Sequence, residues 1–315
     1  MNCDRVIALG FFDGVHRGHG ALLRKARERA NELGCLAAAL TFDPHPDELV
    51  YGIKMQLINT LADRQWLMTR LYCMDEVLIL KFDQQFMHMP WRDFVADFLV
   101  GQLRAVHLVC GHDYSFGYKG MGNVQRLKEL CAELGIGVDV IDKVENEGGI
   151  ISSTRIRKLL KEGNLEEANQ LLGHQHFFSG TVVHGKRLGR LLGFPTANMI
   201  LPDGMLEMAH GVYATEIILS DRSRYMAVTN VGSRPTVNGG SDVTVESWLL
   251  DFTGDLYGRI LRVEFFKYLR PEKKFDTVND LIAAIHHDGD VARAYFQSLG
   301  EHRMTANPPS AADVV

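Results

Sequence analysis

"VIALGFFDGVHRGHGALLRKARERANELG", residues 6–34, decides the fold class. Val6 to Gly10 is an apolar run of strand length that breaks into a turn carrying Gly14 and Gly18. From His19 onward, Leu22, Leu23, Ala26, Ala30 and Leu33 recur at helical spacing, and Gly34 stands where helices take a left-handed terminal residue. The segment predicts a strand, a glycine turn and a helix over His19 to Leu33. Leu36 to Thr41, Glu76 to Phe82, Ala105 to Gly111 and Val138 to Lys143 read as further strands. Between them, Thr60 and Asp63 form a capping box for a helix over Leu61 to Tyr72, Pro90 starts one to Leu103, and Asn123 to Leu134 gives another. Strands alternating with helices imply an open, Rossmann-like parallel α/β sheet, which binds ligands beyond the carboxyl ends of its strands.

The pattern changes after residue 173. Thr181 to His184, Val212 to Leu219, Met226 to Asn230, Thr244 to Leu250 and Ile260 to Phe266 have period-two character and are separated by Gly, Asp and Pro turns, which predicts an antiparallel β-barrel. Two helices, Val278 to His286 and Val291 to Leu299, close it, and "ISSTRIRKLLKEGNLEEANQLLG", 151–173, supplies two short bridging helices. The expected domains are 1–173 and 174–301, with 302–315 as a tail lacking apolar periodicity.

Composition sets the surroundings. A net charge of −5 argues against coating nucleic acid, although a local basic cluster can still hold phosphates. The 5 cysteines are scattered and never spaced as CxxC, so they read as core thiols in a reducing compartment. No basic leader precedes Val6 and no apolar run approaches membrane-spanning length, so a cytoplasmic protein without membrane or nucleic-acid partners is expected.

His16 and His19 flank Gly18 where the strand gives way to the helix, so two imidazoles stand beside unpaired helix N–H groups. Gly10, Gly14 and Gly18, with Phe12 and Asp13 between them, let the backbone turn tightly and approach a triphosphate. "TFDPHP", 41–46, brings Asp43 and His45 to the end of the second strand. "GHDYSFG", 111–117, brings Asp113, Phe116 and Gly117 to the end of the fourth. Ser152 and Ser153 precede a helix whose first turn carries Arg155 and Arg157, an arrangement that suits phosphate better than a solvated helix start. In the second half, "GTVVHGKRLGRLLGFPTANM", 180–199, combines Gly185 and Gly189 with Lys186, Arg187 and Arg190 in a loop able to fold over phosphates. Thr196 and Asn198, two apart in an extended segment, point their oxygens to one side and can share one Mg²⁺. Glu246, in "TVESWLLDF", either pairs structurally or acts as a base.

"FDGVHRGH", "TFDPHP", "GHDYSFG" and "ISSTRIR" together resemble the FMN adenylyltransferase module of bacterial bifunctional riboflavin kinases and FAD synthetases. "GRLLGFPTAN", "NVGSRPTV", "VESWLLDFTGDLYG" and "LRPEKKF" resemble the riboflavin kinase module. The resemblance implies two ATP-dependent steps using Mg²⁺, from riboflavin to FMN and from FMN to FAD. His16 and His19 would then donate to the ATP phosphates, Ser152, Ser153, Arg155 and Arg157 would hold the polyphosphate, and Asp43, His45, Asp113, Phe116 and Gly117 would meet the flavin. In the kinase module Glu246 would be the general base and Arg270 a flavin contact. The expected partners are these small molecules, with at most weak self-association. Departures from the usual pattern are Phe11 in place of Asn, Gly20 in place of Gln, Ser115 in place of Arg, and Ser247-Trp248 in place of an apolar residue and His. Rival readings are a riboflavin kinase with an impaired adenylyltransferase half, a non-catalytic flavin sensor, and, for the first half alone, a cytidylyl- or pantetheine-phosphate adenylyltransferase.

Overall fold

The computed structural model describes residues 3–185, 189, 192–235 and 241–305. The chain divides into two compact units. The first comprises residues 1–156 with two short later segments, 171–173 and 204–206, and the second comprises 157–170, 174–203 and 207–315.

Five parallel strands form the centre of the first unit: β1 (Arg5–Leu9), β2 (Leu36–Asp43), β3 (Glu76–Lys81), β4 (Ala105–Gly111) and β5 (Gly137–Ile141), in the order β3-β2-β1-β4-β5. The order reverses direction between β1 and β4, and such a switch point opens a crevice at the carboxyl ends of those two strands. β1 is buried along nearly its whole length, as a central parallel strand must be. Helix α1 (Arg17–Leu33) lays Leu22, Leu23, Ala26 and Ala30 on the sheet and ends at Gly34 in the left-handed conformation. α2 (Pro46–Tyr51) and α3 (Leu61–Leu71) follow β2, and α4 (Val124–Leu134) precedes β5. Thr60 caps α3 by accepting from the Asp63 N–H, as the capping box predicts. Pro90 sits one place before its helix, which continues from Trp91–Asp93 into a π-helix over Phe94–Gln102 closed by Leu103 N–H on the Phe98 carbonyl. Cys110 and Cys131 are core thiols, but Cys3 and Cys35 are half-buried and Cys73 is exposed, which corrects the reading of all five as core.

α5 (Ser153–Glu162) and α6 (Leu165–Leu172) are the bridging helices. The second unit is a six-stranded antiparallel half-barrel: β6 (His176–Thr181), β7 (Thr196–Ile200), β8 (Gly211–Ile218), β9 (Arg224–Pro235), β10 (Ser241–Leu249) and β11 (Ile260–Arg270), ordered β6-β11-β8-β9-β10-β7. Its two edges meet through one antiparallel bridge, Val183 N–H on the Asn198 carbonyl at 2.8 Å. The strand expected at Thr181 to His184 therefore lies earlier, where Phe177 and Phe178 are buried, and the later residues serve the seam. The expected helix pair is one helix, α7 (Val278–Thr305). It runs through Gly289 because a Cβ there would stand 2.9 Å from the Trp248 ring, so tertiary packing outweighs the helix penalty of about 1 kcal/mol.

Candidate active sites

In the first unit the turn after β1 is a brace around its own residues. Phe12 (φ 60°), Gly14 (φ 78°) and Val15 (φ 43°) are all left-handed, which for Phe12 and Val15 is strained backbone held by burial. A Cβ on Gly14 would come within 2.9 Å of Ile58, and one on Gly10 within 3.1 Å of the Phe12 ring, so these glycines admit neighbouring protein groups. Asp13 is buried and accepts from the Ile58 N–H at 2.8 Å, while its carbonyl accepts from Ser153 Oγ at 2.9 Å. Ser152 Oγ accepts from the Arg155 N–H and caps α5. Gly18 lies under the Ile151 carbonyl, 3.6 Å from where a Cβ would be. The structure thus brings the N-termini of α1 and α5 to one place, two positive helix-dipole ends that favour an anion.

His16 is the N-cap of α1, its Nδ1 accepting from the His19 N–H at 3.2 Å, which leaves its neutral tautomer protonated on Nε2. The two imidazoles stack at 3.6 Å with planes 15° apart. Burial, then the neighbouring His16 and Arg64, hold His19 well below the ordinary imidazole range. His19 is therefore neutral near pH 7, and its Nδ1 is buried with no hydrogen-bond partner among the described residues. A neutral imidazole can donate to an oxygen but brings no charge of its own.

The remaining predicted contacts divide. Asp43 ends β2, and His45 caps α2 while standing edge-on to Phe11 at 4.1 Å. Asp113 is exposed beyond β4. Phe116 is a core ring packed on Tyr114 and Phe94, and a Cβ on Gly117 would strike the Trp91 backbone, so packing accounts for both residues. Arg155 donates to Asn146 Oδ1 at 2.7 Å and to the Gly149 carbonyl, which occupies its guanidinium within the first unit. Arg157 belongs to the second unit.

In the second unit, strand register collects the predicted residues. Asn198 pairs with Glu246, Glu246 with Asn230, Asn230 with Val212, and Val212 with Arg270, one row across five strands. Directly opposed residues share a face, so these side chains line one wall. A cavity of about 410 Å³ contains Thr196, Asn230, Glu246, Trp248, Arg270 and Asp288 in its lining. A second, about 570 Å³, is lined by Gly185, Thr196, Asn198 and the loop Phe252 to Tyr257. Thr196 lines both. Asn198 Nδ2 donates to Thr196 Oγ1 at 3.1 Å, which fixes the two oxygen-bearing side chains against each other. Arg270 makes a bidentate pair with buried Asp288, with distances of 2.7 and 2.9 Å, so its guanidinium is held in the wall. Gly189 lines the smaller cavity, whereas Lys186, Arg187 and Arg190 lie outside the described residues.

A family model described as FAD synthetase matches residues 1–155, and one described as riboflavin kinase matches 172–296. A Listeria monocytogenes protein named bifunctional riboflavin kinase/FMN adenylyltransferase is 37% identical over 94% of each chain. The chain belongs to the bifunctional riboflavin kinase/FMN adenylyltransferase family. An Escherichia coli K12 protein of the same name is 38% identical over 92% of each chain. The crystal structure of a Streptococcus pneumoniae chain described as a macrolide-efflux protein is 32% identical, has a TM-score of 0.83, and is covered over 95% of its length and 93% of this chain. No described helix here is long and apolar enough to cross a membrane.

Three departures from the usual family pattern have structural partners. Phe11 packs under the Arg64 guanidinium, 4.1 Å from its ring centroid. A Cβ on Gly20 would lie 2.8 Å from the Tyr72 ring, so Tyr72 fills the volume of a side chain at position 20. Ser247 joins a buried hydroxyl chain, Thr215 to Thr229 at 2.6 Å and Thr229 to Ser247 at 2.8 Å, while Trp248 turns to the cavity. Ser115 is exposed, and nothing in the structure explains the change there.

Arg64 and Asp288 escaped the sequence reading, whereas Asn230 and the Phe252 to Tyr257 loop fell within the motifs that carry the resemblance without being given a role. Arg64 had a signal, because it shares a helical face with Leu67 and Met68 at spacings of three and four. Asp288 had none, since its partner is 18 residues away on another element.

Proposed function

We infer that the chain makes flavin cofactors in two steps. One unit phosphorylates riboflavin to FMN, and the other transfers the AMP moiety of ATP to FMN, giving FAD and pyrophosphate. The cross-sheet row Asn198–Glu246–Asn230–Val212–Arg270 between two cavities that share Thr196 carries the kinase reading. Riboflavin fits the cavity containing Glu246 and Trp248, and ATP fits the one containing Gly185 and Asn198. Glu246 takes the proton of the ribityl hydroxyl as that oxygen attacks the γ-phosphorus and ADP leaves. Thr196 Oγ1 and Asn198 Oδ1 are hard oxygen donors side by side, which fits Mg²⁺ completed by ATP oxygens and water. Bound there, Mg²⁺ would neutralise polyphosphate charge.

In the first unit an FMN phosphate oxygen attacks the α-phosphorus in line, and pyrophosphate departs. The α1 and α5 N-termini and Ser152 receive phosphate oxygens, and the imidazoles of His16 and His19 donate to them. Asp43, His45 and Asp113 stand at the carboxyl ends of β2 and β4, where the flavin would lie. The functional domains correspond to residues 1–173 and 174–301. The protein works in the cytoplasm, with small-molecule partners and without nucleic acid. A time course with riboflavin as the sole flavin, plus ATP and Mg²⁺, tests this: FMN must appear first and FAD after it. FMN accumulation without FAD would remove the adenylyltransferase half of the proposal.

A further inference from the structure

Burial keeps His19 neutral, so its imidazole brings no fixed positive charge to the proposed adenylyl-transfer site. Arg64 lies beneath the turn. It is 1% exposed, on a side of α3 otherwise given to Leu67 and Met68. Its hydrogen-bond partners are two carbonyls and a hydroxyl: Nη1 donates to the Phe11 carbonyl at 2.7 Å and to Thr41 Oγ1 at 3.4 Å, and Nη2 to the Phe42 carbonyl at 3.3 Å. Nε is buried with no partner among the described residues. Thr41 Oγ1 also donates to the Phe11 carbonyl at 2.7 Å, so one guanidinium joins the chain leaving β1 to the end of β2.

Burial pulls the Arg64 pKa down to about 10, against the opposing charges of Asp13 and Asp43, and it remains protonated at neutral pH. Its direct hydrogen-bond acceptors are neutral and the carboxylates of Asp13 and Asp43 offset its buried charge only in part, so a further anion near the turn is favoured. The anion this family handles at the neighbouring turn is the ATP polyphosphate.

We propose that Arg64 is a positioning residue for adenylyl transfer, whose buried charge supports the phosphate-binding turn from below and whose fork fixes the Phe11 and Phe42 carbonyls. The proposal rests on the adenylyltransferase reading of the first unit. It acts through the turn and without direct contact with substrate: the charge sets the potential at His16 and His19, and the fork sets where the turn begins.

Arg64→Lys keeps the charge with fewer hydrogen bonds, whereas Arg64→Gln keeps hydrogen bonding without charge. Both should be compared with wild type for FAD formation from supplied FMN, with kcat and the KM for ATP separated, and for riboflavin phosphorylation. Expected are a kcat for FAD formation lowered at least about tenfold in Arg64→Gln and within about threefold of wild type in Arg64→Lys. Kinase rates should stay within about twofold in both. A merely structural residue predicts the two variants impaired alike, or Gln the milder. Either ranking overturns the proposal, as does a loss confined to KM. If Arg64→Gln does not fold, Arg64→Lys decides alone, and a tenfold loss of kcat there overturns it. Failure of the wild-type protein to form FAD would instead refute the adenylyltransferase reading.

Discussion

Gly185→Ala is a one-methyl test of the kinase centre. A Cβ at Gly185 would stand 2.5 Å from Asn198 Oδ1, 2.6 Å from Cγ and 2.8 Å from Nδ2. Against an ordinary contact of about 3.4 Å, the amide must retreat by about 0.9 Å. It is the far end of a side chain, so it can move at small cost to stability, but moving it loosens its bonds to Thr196 Oγ1 and to the Thr196 carbonyl. Misplacing a reacting constellation by 1 Å costs about a hundredfold in rate. Gly185→Ala should therefore lower riboflavin phosphorylation about a hundredfold, with a melting temperature within about 3 °C of wild type. FAD formation from supplied FMN should be unchanged. Chromatographic separation of riboflavin, FMN and FAD measures all three flavins in one assay. Kinase activity near wild type would refute the placement of Asn198 in the phosphate and metal site, and equal loss of both activities would refute separate sites.

His19→Ala should reduce FAD formation at least about tenfold through loss of a transition-state donor, with FMN formation from riboflavin retained. Glu246→Gln should do the reverse, and loss of both activities in either variant would contradict the assignment. His176 is buried and neutral, its pKa pushed down to about 3 by burial first and by the His174 charge second. Its folded pKa lies below the ordinary 6.5, so the stability it contributes is present above that pH and lost as pH falls toward 3. Denaturant unfolding between pH 6 and pH 5 should show wild type losing about 1 kcal/mol more than His176→Phe; parallel curves would exclude the effect.

The parallel sheet was legible because burial on both faces writes apolar runs such as Val6 to Leu9, and Gly10, Pro44 and Gly111 mark the carboxyl ends of β1, β2 and β4. The half-barrel was legible from period-two alternation, although its first strand was misplaced and the segment at Thr196 was read as extended without being assigned to the sheet. α7 was read as two helices, and the packing that places Gly289 inside one helix was not legible locally, because the ring against it belongs to Trp248, 41 residues earlier.

By itself the sequence determined the two architectures, the pairing of His16 with His19 at a helix start, and the Thr196–Asn198 pair, since these rest on local periodicity and spacing, whereas Glu246 is brought opposite Asn198 by the register of β7 on β10. Only the tertiary structure decided what surrounds them. It stacked the two imidazoles in a buried place that keeps His19 neutral, brought Arg64 onto the Phe11 carbonyl at the start of the same turn, and locked Arg270 to Asp288. It also turned Gly10 and Gly14 from clearance for a ligand into clearance for Phe12 and Ile58. The physical reason is that desolvation, charge coupling and steric fit depend on atoms from distant segments. Local periodicity records which face of an element is buried and carries no information about what it is buried against.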